Sequence, residues 1–256
     1  MLFRPANGPE LEVVYSFIAQ SPTPVSRQAI YQACLPYYVD KRTVAVQGVD
    51  DAISFLVAAM LIEDRSGFRL CVSERGNSSF RLTAIAQMQK LANREVTPIH
   101  ELDTLYFLLL RELFIVPDRL FVGDVHAEAN KLRPVTELGG ISQEKIRSWK
   151  RVMAFLGIGR RIASGFQCVY APTLLQEIIA TWHVQEGFIQ DFFEGHFIRY
   201  LPFQTQVGDL AQAVGQPLWY LQQQQTVQMR AYQDASRKPY FGEQRWRYLV
   251  YGRSVV

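Results

Sequence analysis

The sequence has no long apolar run and few cysteines. No apolar segment approaches the roughly 20 residues that a membrane-spanning helix needs, and residues 1–10 have no apolar core of signal-peptide length. The three cysteines are widely spaced among apolar residues, a pattern that fits neither a disulfide framework nor a zinc site: Cys34, Cys71 and Cys168. We therefore expect a soluble cytoplasmic protein with no membrane partner, whose cysteines are buried, reduced and free of zinc.

The sequence also lacks the short motifs that carry enzyme chemistry. It has no phosphate-binding glycine loop, no nucleophile elbow and no paired metal-ligand motif, and Gly157-Ile158-Gly159 is too short to form a phosphate loop. Asp124 to Glu128 contains three potential metal ligands, but no distant segment completes a site. The histidines are scattered: His100, His126, His183 and His196. These absences predict a non-enzymatic protein with no catalytic residues, no metal and no cofactor.

Length and composition indicate a globular protein of two or three units. At 256 residues the chain exceeds the roughly 100–150 residues of a typical domain. Apolar residues make up 48% of the sequence and charged residues 20%, which is enough apolar material for hydrophobic cores. The net charge of +3 is too small to identify a nucleic-acid partner, so the positions of the basic residues have to decide.

The first predicted unit covers residues 10–95. Three segments have the apolar spacing of helices: one that ends at Ser21, one that Ser26 caps, and one from Val49 to Leu61. Two short segments then predict a β-hairpin: Arg69 to Val72 and Phe80 to Leu82.

A short repeat predicts a second unit over residues 100–183. Ser164-Gly165-Phe166 repeats Ser66-Gly67-Phe68, and each copy precedes a short apolar segment. We therefore expect residues 66–82 and 164–171 to form equivalent hairpins. Two helices are predicted before the second copy, from Leu102 to Phe114 and from Gln143 to Leu156. Between them, Leu132 to Ile141 is longer than the turn of a helix-turn-helix and predicts an irregular connection.

The third predicted unit, residues 187–256, contains the best local motif. Its first helix is predicted from Gly187 to Tyr200. Within Gly208 to Leu221, Ala211 is small enough for two helices to approach, Gly215 can supply a turn, and Pro217 can begin the second helix. Aromatic and basic residues near the C-terminus predict a closing strand pair, Tyr240-Phe241 and Arg245 to Tyr251.

The chain resembles the winged helix-turn-helix superfamily over residues 10–256. The resemblance is carried by this order of elements and by the Gly208 to Leu221 motif. The resemblance implies a mainly α fold with small β-hairpins, arranged as tandem winged-helix units. It also implies DNA binding, because most members are transcription regulators or other DNA-binding proteins, while a minority use the same shape to bind proteins.

The predicted units differ in the charge on their candidate recognition helices. In the first unit, Asp50, Asp51 and Ser54 lie on a helix without lysine or arginine, which would repel phosphate. This helix therefore predicts a surface for a protein partner or for self-association, or simply core.

The second and third units carry the candidate DNA-binding residues. In the second unit these are basic residues on one helix face and before the hairpin: Arg147, Lys150, Arg151, Arg160 and Arg161. In the third unit they are outward amides and aromatics on the second helix, and basic residues near the C-terminus: Gln216, Trp219, Tyr220, Gln223, Arg237, Lys238, Arg245 and Arg247. A solvated helix face or an ordinary strand pair explains the same patterns, so both interpretations stay open.

The function that the sequence favours is non-enzymatic DNA binding, as a regulator or an accessory subunit. The alternative is a winged-helix scaffold that joins a larger complex through protein contacts and does not touch DNA.

Overall fold

The protein divides into two compact domains, each assembled from two stretches of sequence. The computed structural model describes residues 1–35, 46–71, 79–97, 100–231 and 248–251. Domain 1 contains Met1–Phe107 and Asn130–Leu156, and domain 2 contains Leu108–Ala129 and Gly157–Val256. This grouping reflects packing, and the division into three winged-helix units stays a prediction.

Both domains are mainly helical with small antiparallel sheets, which confirms the coarser part of the predicted fold class, a mainly α fold with small β-hairpins. The α-helices are α1 (Gly8–Gln20), α2 (Arg27–Cys34), α3 (Gln47–Ala58), α4 (Phe80–Ala92), α5 (Glu101–Leu110), α6 (Val125–Ala129), α7 (Arg133–Glu137), α8 (Gln143–Phe155), α9 (Pro172–Ala180) and α10 (Gln212–Gln223). A π-helix, Arg111–Ile115, continues α5, and a second, Asp191–His196, leads into a 3-10 helix, Phe197–Arg199. Within the described ranges, no helix is long and apolar enough to cross a membrane.

The strands form three small sheets. The strands are β1 (Ile62–Asp64), β2 (Phe68–Leu70), β3 (Phe121–Val122), β4 (Arg160–Ile162), β5 (Gly165–Gln167), β6 (Glu186–Phe188), β7 (Val227–Arg230) and β8 (Tyr248–Tyr251). β1 pairs with β2, while the other two sheets have the orders β3-β5-β4 and β6-β8-β7, all antiparallel. These short strands supply hairpins that follow helices and do not form a central sheet.

Domain 1 is built around α1, which packs against α2, α3, α4 and α8. Leu11, Val14 and Ile18 recur at helical spacing on the buried face of α1. The approach of α8 is close enough that a Cβ at Gly8 would lie 1.9 Å from Cγ of Phe155. Glycine at this position therefore lets α1 and α8 meet.

The predicted N-cap of α2 is confirmed, whereas one predicted strand is helical. The Ser26 hydroxyl accepts a hydrogen bond from the Ala29 N–H at 3.2 Å. Phe80 to Leu82, predicted as the second strand of a hairpin, instead begins α4, because Ser79 caps that helix and accepts the Leu82 N–H at 3.2 Å. The strand that pairs with β2 is β1, on its N-terminal side.

The Ser-Gly-Phe repeat occupies equivalent places in two hairpins. In the first, Gly67 ends the turn between β1 and β2, and the Phe68 N–H donates to the Val25 carbonyl at 2.8 Å. In the second, Gly165 follows the turn between β4 and β5, and Phe166 pairs with Val122. Each phenylalanine is buried.

The glycines of the repeat allow a strand to pass close by. A Cβ at Gly165 would lie 2.5 Å from the Val122 carbonyl oxygen, and one at Gly67 would lie 3.2 Å from the Val25 carbonyl oxygen. The repeat therefore marks where an earlier segment of chain crosses the second strand of each hairpin. Because residues 66–82 include the start of α4, only the portion around Gly67 and Phe68 matches the second copy.

The passage from helix to hairpin recurs three times along the chain. After α3, α8 and α10, a single residue with positive φ ends the helix and directs the chain into β1, β4 and β7 respectively: Met60 (φ 55°), Gly157 (φ 77°) and Gln225 (φ 57°). The third transition, from α10 to β7, has the same positive-φ residue although the sequence there does not contain the Ser-Gly-Phe repeat.

The predicted helix-turn-helix at Gly208 to Leu221 is wrong, because its second half is one continuous helix. α10 runs from Gln212 to Gln223, and Gly215 lies buried inside it and forms no turn. Pro217 also lies within the helix, so its missing N–H leaves the Ala213 carbonyl without its helical partner. The Tyr170 N–H, from the segment before α9, donates to that carbonyl at 3.0 Å. This bond from outside the helix makes the interior proline tolerable.

Three further predictions are corrected. The connection from Leu132 to Ile141 contains the short helix α7, and the predicted helix from Gly187 begins as strand β6. Among the cysteines only Cys168 is buried, whereas Cys34 is half-buried and Cys71 is exposed; all three are free. Partial burial still raises the pKa of Cys34 and of Cys71, which keeps both thiols protonated at neutral pH.

The core of domain 2 is dense in aromatic rings and includes His196. Ring centroids of Phe192, Phe193, Phe197 and Phe203 lie 5.1–6.1 Å apart in successive pairs. The Nε2 of His196 lies 2.9 Å from the Ile178 carbonyl oxygen, at the C-terminal end of α9. Burial lowers the pKa of His196, and the nearby charges of Arg199 and His183 lower it further.

The contact between α1 and α8 predicts opposite effects for two glycine substitutions in domain 1. Gly8→Ala should destabilise the protein by about 1–3 kcal/mol, because the new methyl overlaps the ring of Phe155. Gly48→Ala is the matched control, since its Cβ would lie 3.4 Å from the Glu10 carboxylate and the helix gains propensity. Denaturant unfolding followed by circular dichroism measures both; equal effects would contradict the predicted packing.

The position of His196 predicts a loss of stability in acid. Because its pKa in the folded protein lies below the unfolded value of 6.5, its stabilisation is complete above that pH and is lost as the pH falls through the folded-state pKa. His196→Gln keeps a donor for the Ile178 carbonyl and should flatten the dependence of melting temperature on pH between about pH 5 and pH 8. His100→Gln, at an exposed histidine, is the control, and an unchanged profile in His196→Gln would refute the assignment.

Candidate nucleic-acid interface

Helix α3, the candidate recognition helix of the first predicted unit, uses its acidic residues for contacts within domain 1. Asp50 of α3 accepts hydrogen bonds from the Tyr31 hydroxyl and, at 2.8 Å, from the Arg27 guanidinium. Burial raises the pKa of Tyr31, and its bond to Asp50 raises it further. Asp51 is 3% exposed and does not point outward as predicted. These contacts join α2 to α3. The carboxylate of Asp50 therefore has a structural role that requires no bound ligand.

The first hairpin carries arginines that are neutralised. Glu63 of β1 forms ion pairs with Arg65 at 2.9 Å and with Arg69 at 2.5 Å. The Arg69 hydrogen bond holds the pKa of Glu63 below its ordinary value, and the charge of Arg65 lowers it further. Together with Asp64, the last residue of β1, Glu63 gives the β1–β2 hairpin two carboxylates against two guanidinium groups, so its formal charge is zero.

The second hairpin presents its arginines differently. Every residue of β4 is exposed, and β4 lies at the edge of the sheet β3-β5-β4. Arg160 donates through Nε to the neutral Gln167 side chain at 2.5 Å. In the part of the chain that the structure describes, no carboxylate pairs with Arg160 or Arg161. Both guanidinium groups therefore face solvent, and no carboxylate within the described ranges compensates their charges.

Of the three basic residues predicted on the outer face of α8, one is exposed and two are half-buried. Ile146, Trp149 and Met153 are buried, as predicted, and the Trp149 indole N–H donates to the Tyr106 carbonyl at 2.8 Å. On the other face Arg147 is exposed and Lys150 is half-buried. Arg151 is also half-buried, with its Nε out of contact with water, so it contributes less to the outer surface.

The outward residues predicted on α10 lie together on one face. Gln216, Trp219, Tyr220 and Gln223 are all exposed, at spacings of three and four residues. Trp219 is 39% exposed and Tyr220 is 49% exposed, which is unusual for large aromatic side chains. Leu218, Leu221 and Met229 are buried, as predicted. This amide–aromatic face carries no formal charge.

A distant residue that the sequence did not single out caps α10. Ala211, at the N-cap position, has no side chain that could accept a hydrogen bond. Asp118 takes its place: one carboxylate oxygen accepts the Gln212 N–H at 2.7 Å, and the other accepts the Gln212 side-chain amide at 3.1 Å. Asp118 has φ of +53°, a left-handed conformation that carboxylate and amide residues tolerate. No sequence signal links residues 94 positions apart.

The predicted basic residues near the C-terminus lie outside the described residues: Arg237, Lys238, Arg245 and Arg247. The predicted strand Tyr240-Phe241 also lies outside them.

The cluster of potential metal ligands at Asp124 to Glu128 has a structural explanation. Asp124, which the sequence showed beside His126 and Glu128, caps α6 by accepting the Ala127 N–H at 2.9 Å. Across the described ranges, no three histidine, cysteine or acidic residues come close enough to hold a metal ion.

Comparison with known proteins identified no relative. No protein-family model, no curated protein and no solved structure matches the chain.

Proposed function

We propose that the chain is a non-enzymatic DNA-binding protein made of tandem winged-helix units, with its main contacts in domain 2. The observation that carries this proposal is the pair of arginines, Arg160 and Arg161, on the exposed edge strand of a hairpin, with no carboxylate partner among the described residues. Duplex DNA attracts such groups through its phosphates and releases counterions when they bind.

The order of elements supports the winged-helix assignment. Twice the chain runs from a helix through a short extended segment and further helices into a hairpin, whose second strand pairs with that extended segment. In the first case Val25 pairs with β2, and in the second β3 pairs with β5. The same arrangement surrounds both copies of Ser-Gly-Phe, which favours a repeated architecture.

The two kinds of surface in domain 2 suit different parts of a DNA duplex. Arginines on a projecting hairpin contact phosphates and position a protein on the duplex without reading sequence. Amides such as Gln216 and Gln223 can pair with adenine edges, and aromatic side chains can stack on bases or contact thymine methyl groups. On α8 of domain 1, Arg147 and Lys150 are separate candidates for phosphate contact.

The uncharged face of α10 supports a second candidate function. A surface with two half-exposed aromatic residues and no lysine or arginine is also typical of the centre of a protein interface. In that case the chain is a winged-helix scaffold within a larger complex and does not touch DNA. The two functions differ in how strongly the binding affinity depends on salt, because DNA releases condensed counterions when its phosphates are neutralised.

The proposal predicts a specific effect of neutralising the second hairpin. Arg160→Gln with Arg161→Gln should weaken binding to every duplex sequence and reduce the slope of log affinity against log salt by about two units, one per lost phosphate contact. Fluorescence anisotropy with labelled duplexes at several salt concentrations measures both quantities.

The first hairpin supplies the matched control. Arg65→Gln with Arg69→Gln removes the same number of positive charges from the equivalent element, but those charges are already balanced by Glu63, which pairs with both, and by Asp64. This variant should bind DNA with nearly the wild-type salt slope. Equal losses in the two double variants would refute the specific role of the second hairpin. Salt-independent or undetectable binding by the folded wild type would favour the scaffold function.

A further inference from the structure

The N-terminal end of α10 is held by a part of the chain that also leads to the arginine hairpin. The π-helix Arg111–Ile115 contacts both α10 and β3. β3 pairs with β5, and β5 pairs with β4, which carries Arg160 and Arg161. Asp118 lies in the connection between the π-helix and β3, where its carboxylate caps α10. Asp118 is therefore one of the links between the helix with the amide–aromatic face and the chain that leads into the sheet with Arg160 and Arg161.

Asp118 forms this connection under backbone strain. A non-glycine residue with φ of +53° is uncommon, and such conformations persist where surrounding contacts determine them. Here both carboxylate oxygens are occupied by Gln212, and the Gln206 N–H donates to the Val116 carbonyl at 2.9 Å, two residues before Asp118. Three hydrogen bonds thus attach the segment 116–118 to the chain that enters α10.

We propose that Asp118 is a positioning residue for DNA binding: its cap on α10 fixes the amide–aromatic face relative to the β4–β5 hairpin, so that base and phosphate contacts form together. This inference rests on the proposed function. Asp118 itself carries a negative charge and does not contact DNA in this scheme. Its contribution is made through Gln212 and the orientation of α10.

The sign of one substitution separates positioning from simple electrostatics. Asp118→Ala removes a negative charge, and if charge alone mattered, the variant would bind DNA more tightly than the wild type. A positioning role predicts the opposite. Binding should weaken by up to about fivefold, the factor that corresponds to the typical value of one capping bond, because fewer molecules hold α10 in the competent orientation.

Two further variants make the test specific. Asp118→Asn removes the same charge but keeps an acceptor for the Gln212 N–H and tolerates positive φ, so it should bind DNA as well as the wild type or more tightly. Glu186→Gln removes an exposed carboxylate elsewhere in domain 2 and should not weaken binding. Affinity is measured by anisotropy with the full chain, and circular dichroism verifies that each variant is folded.

A readout that needs no DNA distinguishes failure of this inference from failure of the proposed function. Hydrogen exchange of the amides in the first turn of α10 should accelerate in Asp118→Ala and remain near wild type in Asp118→Asn, with β7 unchanged in both. If the wild type binds no DNA while the exchange rates change as expected, the proposed function fails, but the role of Asp118 in capping and orienting α10 is supported. Wild-type affinity in Asp118→Ala, or unchanged exchange in α10, overturns the positioning role.

Discussion

The surface of domain 2 depends on a helix that cannot satisfy its own backbone. Pro217 deprives the Ala213 carbonyl of its helical donor, and Ala211 offers no side chain to cap the first turn. Ala213 is buried, and a buried polar group left unpaired costs about 1–3 kcal/mol, so its carbonyl needs a partner from elsewhere. The Gln212 N–H is exposed and gains stability from a capping partner. The Tyr170 N–H and the Asp118 carboxylate supply them. The exposed face of α10 is thus oriented by two distant segments of the same domain.

A second constraint is the way charge is distributed between two similar hairpins. Both carry a pair of arginines, and both place a Ser-Gly-Phe segment against an earlier strand residue. In the first hairpin Glu63 pairs with both arginines and Asp64 supplies the second negative charge. In the second, no carboxylate among the described residues pairs with Arg160 or Arg161, and Arg160 donates to the neutral Gln167. The two hairpins therefore share a backbone arrangement but differ in formal charge, which is zero in the first and +2 in the second.

The local features of the fold could be predicted from the sequence, and the distant pairings could not. Apolar spacing predicted α1 and α8, and Ser26 predicted the start of α2, because these signals lie within one turn of the residues that they govern. The strand at Phe80 failed because Ser79 is an equally local cap that the pattern of apolar residues did not reveal.

At the candidate site, too, local features could be predicted from the sequence and distant pairings could not. The outward face of α10 followed from helical spacing, but the turn assigned to Gly215 was wrong because the partner of the Ala213 carbonyl lies more than 40 residues away in sequence. Asp118 gave no signal at all, since its role exists only once α10 has packed beside the π-helix. Asp51 was predicted to be outward from its charge, yet it is buried close to Arg4.

We propose that domain 2 binds duplex DNA through its second hairpin and α10, while the similar first hairpin does not take part. Hydrogen–deuterium exchange of the full chain with and without saturating duplex DNA tests it most directly. The account predicts slower exchange in residues 160–164 and 212–223 and no change in residues 62–70. Protection of residues 62–70 in place of these segments, or no protection anywhere, would contradict it.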